Sequence, residues 1–236
     1  MNGLIALVGS GEYLPVMEDT DRYLLGSLNV NGRKPRVVCL PTAAGQEGDE
    51  SVNRWSRMGI EHFQKLGADV TAVKIINKET ANDMQYESVL ENADFIYFSG
   101  GNPQYLHDTM QDTCAWKAMQ RAWTRGAIYA GCSAGAMILA KRIPSFRLFN
   151  TVEGFGVVPA QYVFPHFDAV PVMFKPLISA LTSKLKKDER MIGVDEDTAL
   201  VGKLGGEWKV MGKSQVHLFT PKGKTTYDSG QTITLD

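Results

Sequence analysis

The stretch "GAIYAGCSAGAMILA" (Gly126–Ala140) runs from a strand-like apolar segment straight into a helix-like one. At its centre Ser133 lies between Gly131 and Gly135, the G-x-S-x-G pattern of a nucleophile elbow, where a sharp strand-to-helix turn exposes the middle side chain. Glycines on both sides relieve crowding at such a turn. This symmetry predicts that Ser133 is exposed and that Cys132 packs into the sheet. The alternative is a glycine-rich turn without chemistry.

Apolar runs of strand length alternate with longer amphipathic segments on the N-terminal side of this stretch. The segment 51–66 has apolar residues near helical spacing and stops at Gly67. The alternation predicts an α/β fold in which helices cover a parallel sheet. The predicted strands are "LIALV" (4–8), "RVVCLP" (36–41), "DVTAVKI" (69–75), "DFIYFS" (94–99) and "AIYAGC" (127–132).

The pattern changes after Ala140, where short strand-like pieces lie among loops. One helix is predicted over 176–187, and the tail is rich in strands separated by turns that contain glycine. We predict one domain over 1–236 with an antiparallel, β-rich C-terminal addition. The predicted strands here are "FGVVP" (155–159), "QYVFP" (161–165), "MIGV" (191–194), "EWKVM" (207–211) and "QVHLF" (215–219).

Composition and charge exclude several functional classes. The formal net charge is −1, and no Lys/Arg cluster alternates with aromatic residues, so nucleic acid is not an expected partner. The stretch 126–140 is shorter than the ~20 apolar residues of a bilayer span, and glycines interrupt the first apolar run too early for a signal sequence, so no membrane segment is expected.

The cysteines indicate a reducing compartment. There are three cysteines, an odd number, and they lack metal-ligand spacing and lie in apolar stretches: Cys39, Cys114 and Cys132. We therefore expect a cytoplasmic protein without a metal site. The segment "GSGEYLP" (9–15) lacks the third glycine of G-x-G-x-x-G, so no dinucleotide cofactor is expected either.

A second motif, "DFIYFSGGNPQYL" (94–106), places two glycines at the end of a predicted central strand. Asn102 is a good N-cap and Pro103 suits the first helical position, but neither role requires Gly100 and Gly101. Ligands of open α/β sheets bind at this edge, where a bare backbone N–H can face an oxyanion. Gly100 and Asn102 are expected to border the substrate. Replacing Gly101 with valine is expected to lower catalysis far more than stability.

Four motifs together resemble the dipeptidase E and cyanophycinase family of serine peptidases. They are "SGGN" (99–102), "GCSAGA" (131–136), "PHF" (165–167) and "GVDEDTAL" (193–200), and they occur in that order. The resemblance implies the three-layer, doubly wound, mostly parallel sheet of class I glutamine amidotransferases. That family has serine where the amidotransferases carry cysteine, and Cys132 lies one residue away from that position.

The resemblance also implies roles for individual residues. It assigns the nucleophile to Ser133, the general base to His166 and the acid to Glu196, and it assigns the oxyanion hole to the N–H groups of Gly101 and Ala134. The implied reaction is hydrolysis of an amide bond in a short peptide, without metal or cofactor. From the residues alone, Asp195 and Asp197 would serve equally well as the acid. The sequence allows a homodimer and does not fix the oligomeric state.

The run after the histidine departs from relatives that take acidic substrates. Those relatives have basic and amide side chains there, whereas "FPHFDAVPVMFKP" (164–176) is mostly apolar and offers only Lys175 as a nearby cation. We therefore expect that peptides with an acidic residue before the scissile bond are not preferred. Preference for such peptides would require Arg142 or Arg147 to fold over the site.

Two other functions are compatible with the residues. An α/β-hydrolase esterase would need the chain order serine, acid, histidine, which Ser133, Glu196 and His217 would supply. A protein that binds a ligand or partner without catalysis would keep the sheet and lose the chemistry. Labelling with a fluorophosphonate distinguishes the second alternative from both hydrolases.

Overall fold

The computed structural model describes residues 3–145 and 150–235. The strands are β1 (Ile5–Val8), β2 (Arg36–Leu40), β3 (Asp69–Ala72), β4 (Phe95–Phe98), β5 (Ile128–Cys132), β6 (Arg142–Ser145), β7 (Asn150–Glu153), β8 (Tyr162–Phe164), β9 (Met191–Val194), β10 (Thr198–Gly202), β11 (Glu207–Gly212), β12 (Gln215–Thr220), β13 (Gly223–Asp228) and β14 (Thr232–Thr234). The α-helices are α1 (Glu18–Gly26), α2 (Asp49–Lys65), α3 (Met84–Glu91), α4 (Pro103–Met110), α5 (Cys114–Arg125), α6 (Ala134–Met137) and α7 (Lys175–Ser183).

A central sheet of eight strands has the order β14-β11-β10-β1-β5-β4-β2-β3. The five strands from β1 to β3 in this order are parallel, and β10, β11 and β14 continue the sheet antiparallel beyond β1. The predicted N-terminal strands all lie in the parallel part. Their carboxyl ends therefore meet at one edge, and β5 in the middle of the sheet delivers Ser133 to that edge.

Both faces of the sheet are covered because consecutive strand residues point to opposite sides. In β4, for example, Ile96 and Phe98 belong to one apolar core, whereas Phe95 and Tyr97 belong to the other. Helices α1 and α2 pack on one face, and α3 to α6 pack on the other. This arrangement confirms the predicted three-layer, doubly wound fold.

The C-terminal strands are divided between two sheets. β10, β11 and β14 extend the central sheet, while β8, β9, β12 and β13 form a second sheet in the order β13-β12-β9-β8. In that second sheet β8 and β9 are parallel, and β12 is antiparallel to both β9 and β13. β6 and β7 form a separate antiparallel pair.

The predicted strand 155–159 is wrong. The backbone N–H groups of Phe155 and Val157 donate to the carbonyls of Ile138 and Leu139, just beyond α6. The segment therefore caps the end of a helix instead of pairing with another strand, because those carbonyls have no partner within the helix. The predicted helix 176–187 is confirmed as α7, which ends at Ser183.

Helices long and apolar enough to cross a bilayer are not found in the part of the chain that the structure describes.

Candidate active site

The turn between β5 and α6 has the geometry of a nucleophile elbow. Ser133 has φ +51° and ψ −106°, a conformation rare for a residue with a side chain. A Cβ atom on Gly131 would lie 2.3 Å from the backbone of Gly135, and one on Gly135 would lie 2.8 Å from Cβ of Phe98. Both glycines are therefore required by close packing around the turn. Cys132 is fully buried in the sheet, as predicted.

Ser133, His166 and Glu196 form one hydrogen-bonded series. Nε2 of His166 lies 3.1 Å from Oγ of Ser133, and Nδ1 lies 2.9 Å from Oε1 of Glu196. The side chains of His166 and Glu196 are 42% and 46% exposed, so a ligand can reach the series. In this arrangement an imidazole can take a proton from a hydroxyl while a carboxylate holds its tautomer.

Three consecutive acids, Asp195, Glu196 and Asp197, each make a separate set of contacts. Glu196 faces His166, and its own backbone N–H donates to Oδ1 of Asp168. Asp195 is buried and bonds to His217, while a carboxylate oxygen of Asp197 lies 3.7 Å from Nζ of Lys213. Of these three acids, only Glu196 contacts the imidazole next to Ser133.

His217 lies in a buried polar network of the second sheet. Its Nε2 is 2.9 Å from Oδ1 of Asp195, and its Nδ1 is 3.1 Å from Oγ1 of Thr226. Asp195 also accepts hydrogen bonds from Ser214 Oγ and the Gln215 backbone N–H. Both ring nitrogens of His217 are therefore in use, and neither contacts Ser133.

Unusual backbone conformations cluster around this site. Among the described residues, six other than glycine have positive φ, and four of them lie in turns at the edge that carries Ser133. Such conformations cost of order 1–3 kcal/mol each and persist where the surrounding structure holds them. The four residues are Tyr13, Ser133, His166 and Asp197.

The backbone N–H groups of Gly101 and Ala134 have no hydrogen-bond partner within residues 3–145 and 150–235. The N–H groups on either side of Gly101 are engaged, since Gly100 donates to Glu12 and Asn102 donates to Ala43 O. A free pair of donors beside an exposed hydroxyl is the pattern that stabilises an oxyanion. The geometry is thus compatible with the predicted roles of Gly101 and Ala134.

The two residues predicted to border the substrate differ in what they offer. Asn102 lines the cleft described below, but its Oδ1 accepts from Tyr105 N to cap α4 and its Nδ2 donates to Gln46. A Cβ atom on Gly100 would lie 3.3 Å from Cβ of Ser133. Direct contact of Gly100 or Asn102 with substrate stays a prediction.

Glu12 was not expected at the site from sequence, yet its carboxylate lies directly behind the elbow. Oε1 accepts a hydrogen bond from Gly100 N at 3.0 Å, and Oε2 accepts one from Sγ of Cys132 at 2.9 Å. Burial raises the pKa of the Cys132 thiol well above its ordinary value, and the nearby charge of Glu12 raises that pKa further. Cys132 is therefore a neutral donor at pH 7. The only sequence signal for Glu12 is its place in the short segment 9–15 that follows β1.

A cleft of about 790 Å³ opens beside Ser133 and His166. It extends from Gly101 and Asn102 to the β6–β7 pair and to the loop after His166. Its volume is in the range that holds a small ligand such as a peptide of a few residues.

Comparisons with known proteins identify the family of this chain. The sequence profile of peptidase family S51 matches residues 5–206. The chain belongs to peptidase family S51. This membership confirms the resemblance to the dipeptidase E and cyanophycinase family that the four motifs predicted.

Individual similar proteins differ in how much of their length they share with this chain. A cyanophycinase from Nostoc sp. (strain PCC 7120 / SAG 25.82 / UTEX 2576) is 28% identical over 173 residues, which cover 69% of this chain. The chain spans only 57% of that relative's length. The structure of a peptidase from an acI-B1 Actinobacterium is 34% identical with a TM-score of 0.89, and the match covers 99% of this chain and 97% of that one.

A second solved structure, with lower sequence identity, supports the fold alone. A protein from Listeria monocytogenes EGD-e, provisionally named peptidase E, has a TM-score of 0.61 at 19% identity. The match covers 97% of this chain and 99% of that one.

Proposed function

We propose that this chain is a serine peptidase that hydrolyses amide bonds of short peptides with Ser133, His166 and Glu196. The observation that carries the proposal is the hydrogen-bonded series that joins these three side chains at 3.1 and 2.9 Å. Membership of family S51 supports the same reaction. A cytoplasmic location stays a prediction from cysteine usage.

In the first half of the proposed reaction, His166 Nε2 takes the Ser133 proton as Oγ bonds to the peptide carbonyl carbon. The N–H groups of Gly101 and Ala134 stabilise the resulting oxyanion. The imidazolium then gives its proton to the amide nitrogen, the C–N bond breaks and the amine product leaves. Glu196 accepts from Nδ1–H throughout, which fixes the tautomer and stabilises the imidazolium.

In the second half, water replaces the amine. His166 takes a proton from water as the oxygen attacks the acyl ester, and it returns the proton to Ser133 Oγ when the ester bond breaks. The products are an amine and a carboxylic acid, and no external oxidant, reductant or metal is needed for the balance.

Covalent labelling tests this proposal directly. Incubation with a fluorophosphonate followed by peptide mass spectrometry should locate the adduct on Ser133, and wild-type protein should hydrolyse dipeptides. Both results distinguish the proposal from a non-catalytic binding protein. A modified residue other than Ser133, or no adduct and no hydrolysis, would overturn it.

The proposed oxyanion donor Gly101 leads to a prediction in which the structure corrects the sequence-based expectation about stability. Gly101 has φ +143°, and a Cβ atom there would lie 2.4 Å from the carbonyl oxygen of Ala43. We therefore expect Gly101→Val to lower kcat by ~100-fold and also to lower the free energy of unfolding by more than ~1 kcal/mol.

Urea unfolding and steady-state kinetics on the same preparations check both numbers. Gly26→Val is the matched control, because nothing lies within 4 Å of a Cβ atom at Gly26. Wild-type stability of Gly101→Val would show that the close approach to Ala43 is not required.

A further inference from the structure

Most side chains that line the cleft beside Ser133 are apolar, and the polar ones besides Ser133 and His166 are Asn102 and Gln104. One apolar group comes from α6 and the β6–β7 pair, and its members include Met137, Ile143 and Val152. A second group is close to His166 in sequence, and its members include Pro165, Val170 and Phe174. Because His166 would protonate the leaving amine, we expect the second group to contact the leaving residue and the first to contact the acyl residue.

Charged side chains that could pair with an acidic substrate do not line this cleft in the described structure. Among the lining residues there, His166 is the only one whose side chain can carry a positive charge. Arg142, one of two arginines that could have folded over the site, instead donates from its guanidinium to the side chain and carbonyl of Thr151. Lys175 does not line the cleft, and Arg147 lies outside the described residues.

We propose that this cleft selects short peptides with uncharged, apolar side chains on both sides of the scissile bond. The proposal rests on the proposed function and adds the substrate class. Transfer of an aliphatic side chain from water to such an apolar lining is favourable. A carboxylate placed there would lose its hydration without gaining a cation or a bidentate partner.

Four dipeptides that differ in one side chain at a time test the substrate class. We expect kcat/KM to be highest for Leu-Leu and to fall at least ~10-fold for Asp-Leu and for Leu-Asp, with Asp-Asp lowest. Equal or higher kcat/KM for Asp-Leu or Leu-Asp would overturn the apolar assignment while leaving the proposed hydrolysis intact.

Calorimetric titration of the Ser133→Ala variant provides a readout that needs no turnover. Leu-Leu should bind at least ~10-fold more tightly than Asp-Asp. Equal or reversed affinities would overturn the substrate class even if wild-type protein hydrolysed none of the peptides. Absence of wild-type hydrolysis with the expected order of affinities would overturn only the proposed function.

A change of specificity provides the sharper test. Ala169 lines the cleft, is exposed, and lies in the turn where its N–H donates to the His166 carbonyl. Ala169→Arg should raise kcat/KM for Leu-Asp relative to Leu-Leu by ~10-fold, because it offers a guanidinium to the leaving residue. Val172→Arg is the matched control, since Val172 is 75% exposed and does not line the cleft. The same shift in both variants, or no shift in Ala169→Arg, would contradict the proposal.

A second inference follows independently from the contacts of Glu12. Its two carboxylate oxygens bind Gly100 and Cys132, which precede the proposed oxyanion donors by one and two residues. One carboxylate thus connects the segment after β4 to the end of β5. The loop that carries Glu12 is anchored by the next residue, because Tyr13 is buried against the rings of Phe63 and Tyr97.

We propose that Glu12 is a positioning residue for the N–H group of Gly101, and that it acts through its hydrogen bond to Gly100. Because Gly100 N–H is held by Glu12, the next peptide plane is free to direct Gly101 N–H to the cleft. Loss of the carboxylate should leave substrate binding largely unchanged and should weaken stabilisation of the oxyanion.

Comparison of an alanine and a glutamine variant tests this role. Glu12→Ala should lower kcat by ~10-fold or more with KM within ~3-fold, and it should weaken binding of a peptide aldehyde by a similar factor, since the aldehyde forms a tetrahedral adduct with serine. Glu12→Gln keeps an acceptor for Gly100 and should restore most of kcat.

Cys132→Ala is the control for the other contact of Glu12 and should stay close to wild type. An unchanged kcat in Glu12→Ala, or equal losses in the alanine and glutamine variants, would overturn the positioning role. Absence of hydrolysis by the wild-type chain would overturn both this role and the proposed function.

Discussion

Ser133→Ala is expected to lower kcat by ~10⁴-fold or more and to abolish labelling by a fluorophosphonate, because the loss of one member of a catalytic triad removes most of its effect. Cys132→Ala is expected to keep activity and labelling close to wild type. The neighbouring residues differ in this way because the hydroxyl of Ser133 is hydrogen-bonded to His166 in the cleft, whereas the thiol of Cys132 is buried behind it.

Steady-state hydrolysis of a dipeptide and labelling of both variants measure this difference. A short exposure to iodoacetamide provides a third readout, since a fully buried thiol with a raised pKa has little thiolate at pH 7 and should react slowly. An active Ser133→Ala variant would refute the mechanism. Rapid loss of wild-type activity through alkylation of Cys132 would instead assign the nucleophile to Cys132.

His166→Ala is expected to lower kcat by at least ~1,000-fold with little change in stability, since this imidazole is the only one in contact with Ser133 in the described structure. Its side chain is 42% exposed, so its removal leaves no cavity in the core. Parallel measurement of kcat and thermal unfolding separates the catalytic effect from the structural one.

His217→Gln is the matched histidine variant, and it should have the opposite effect. Removal of the imidazole from Asp195 is expected to lower the free energy of unfolding by ~1–3 kcal/mol, because the carboxylate of Asp195 is buried. Activity per folded molecule should stay close to wild type. An essential His217 together with a dispensable His166 would favour the esterase order of residues.

Most of the parallel sheet could be predicted from sequence because its strands are buried on both faces and read as continuous apolar runs. The segment 155–159 has the same apolar character, but its backbone pairs with carbonyls beyond α6. Local composition does not distinguish these two ways of burying a short apolar run. The division of the C-terminal strands between two sheets likewise depends on pairing between distant segments.

The candidate site shows the same limit on a smaller scale. The elbow is recognisable because Gly131, Ser133 and Gly135 are close in sequence. The contacts of Glu12 join residues 88 and 120 positions apart, and no local pattern predicts them. The sequence alone does not distinguish Glu196 from its acidic neighbours as the partner of His166. In the structure, Asp195 is hydrogen-bonded to His217 instead.

The strained turns at the edge of the sheet have a consequence for how this chain can evolve. Tyr13, Ser133, His166 and Asp197 each have a backbone conformation that glycine would adopt more readily. Natural domains have only ~5–15 kcal/mol of net stability, so strain of this size in four turns is a large share of the margin. At Ser133 and His166, a substitution that relaxes the turn would make the protein more resistant to heat and would also remove a group that acts on substrate. Selection for thermal resistance and selection for turnover would therefore favour different residues at these two positions.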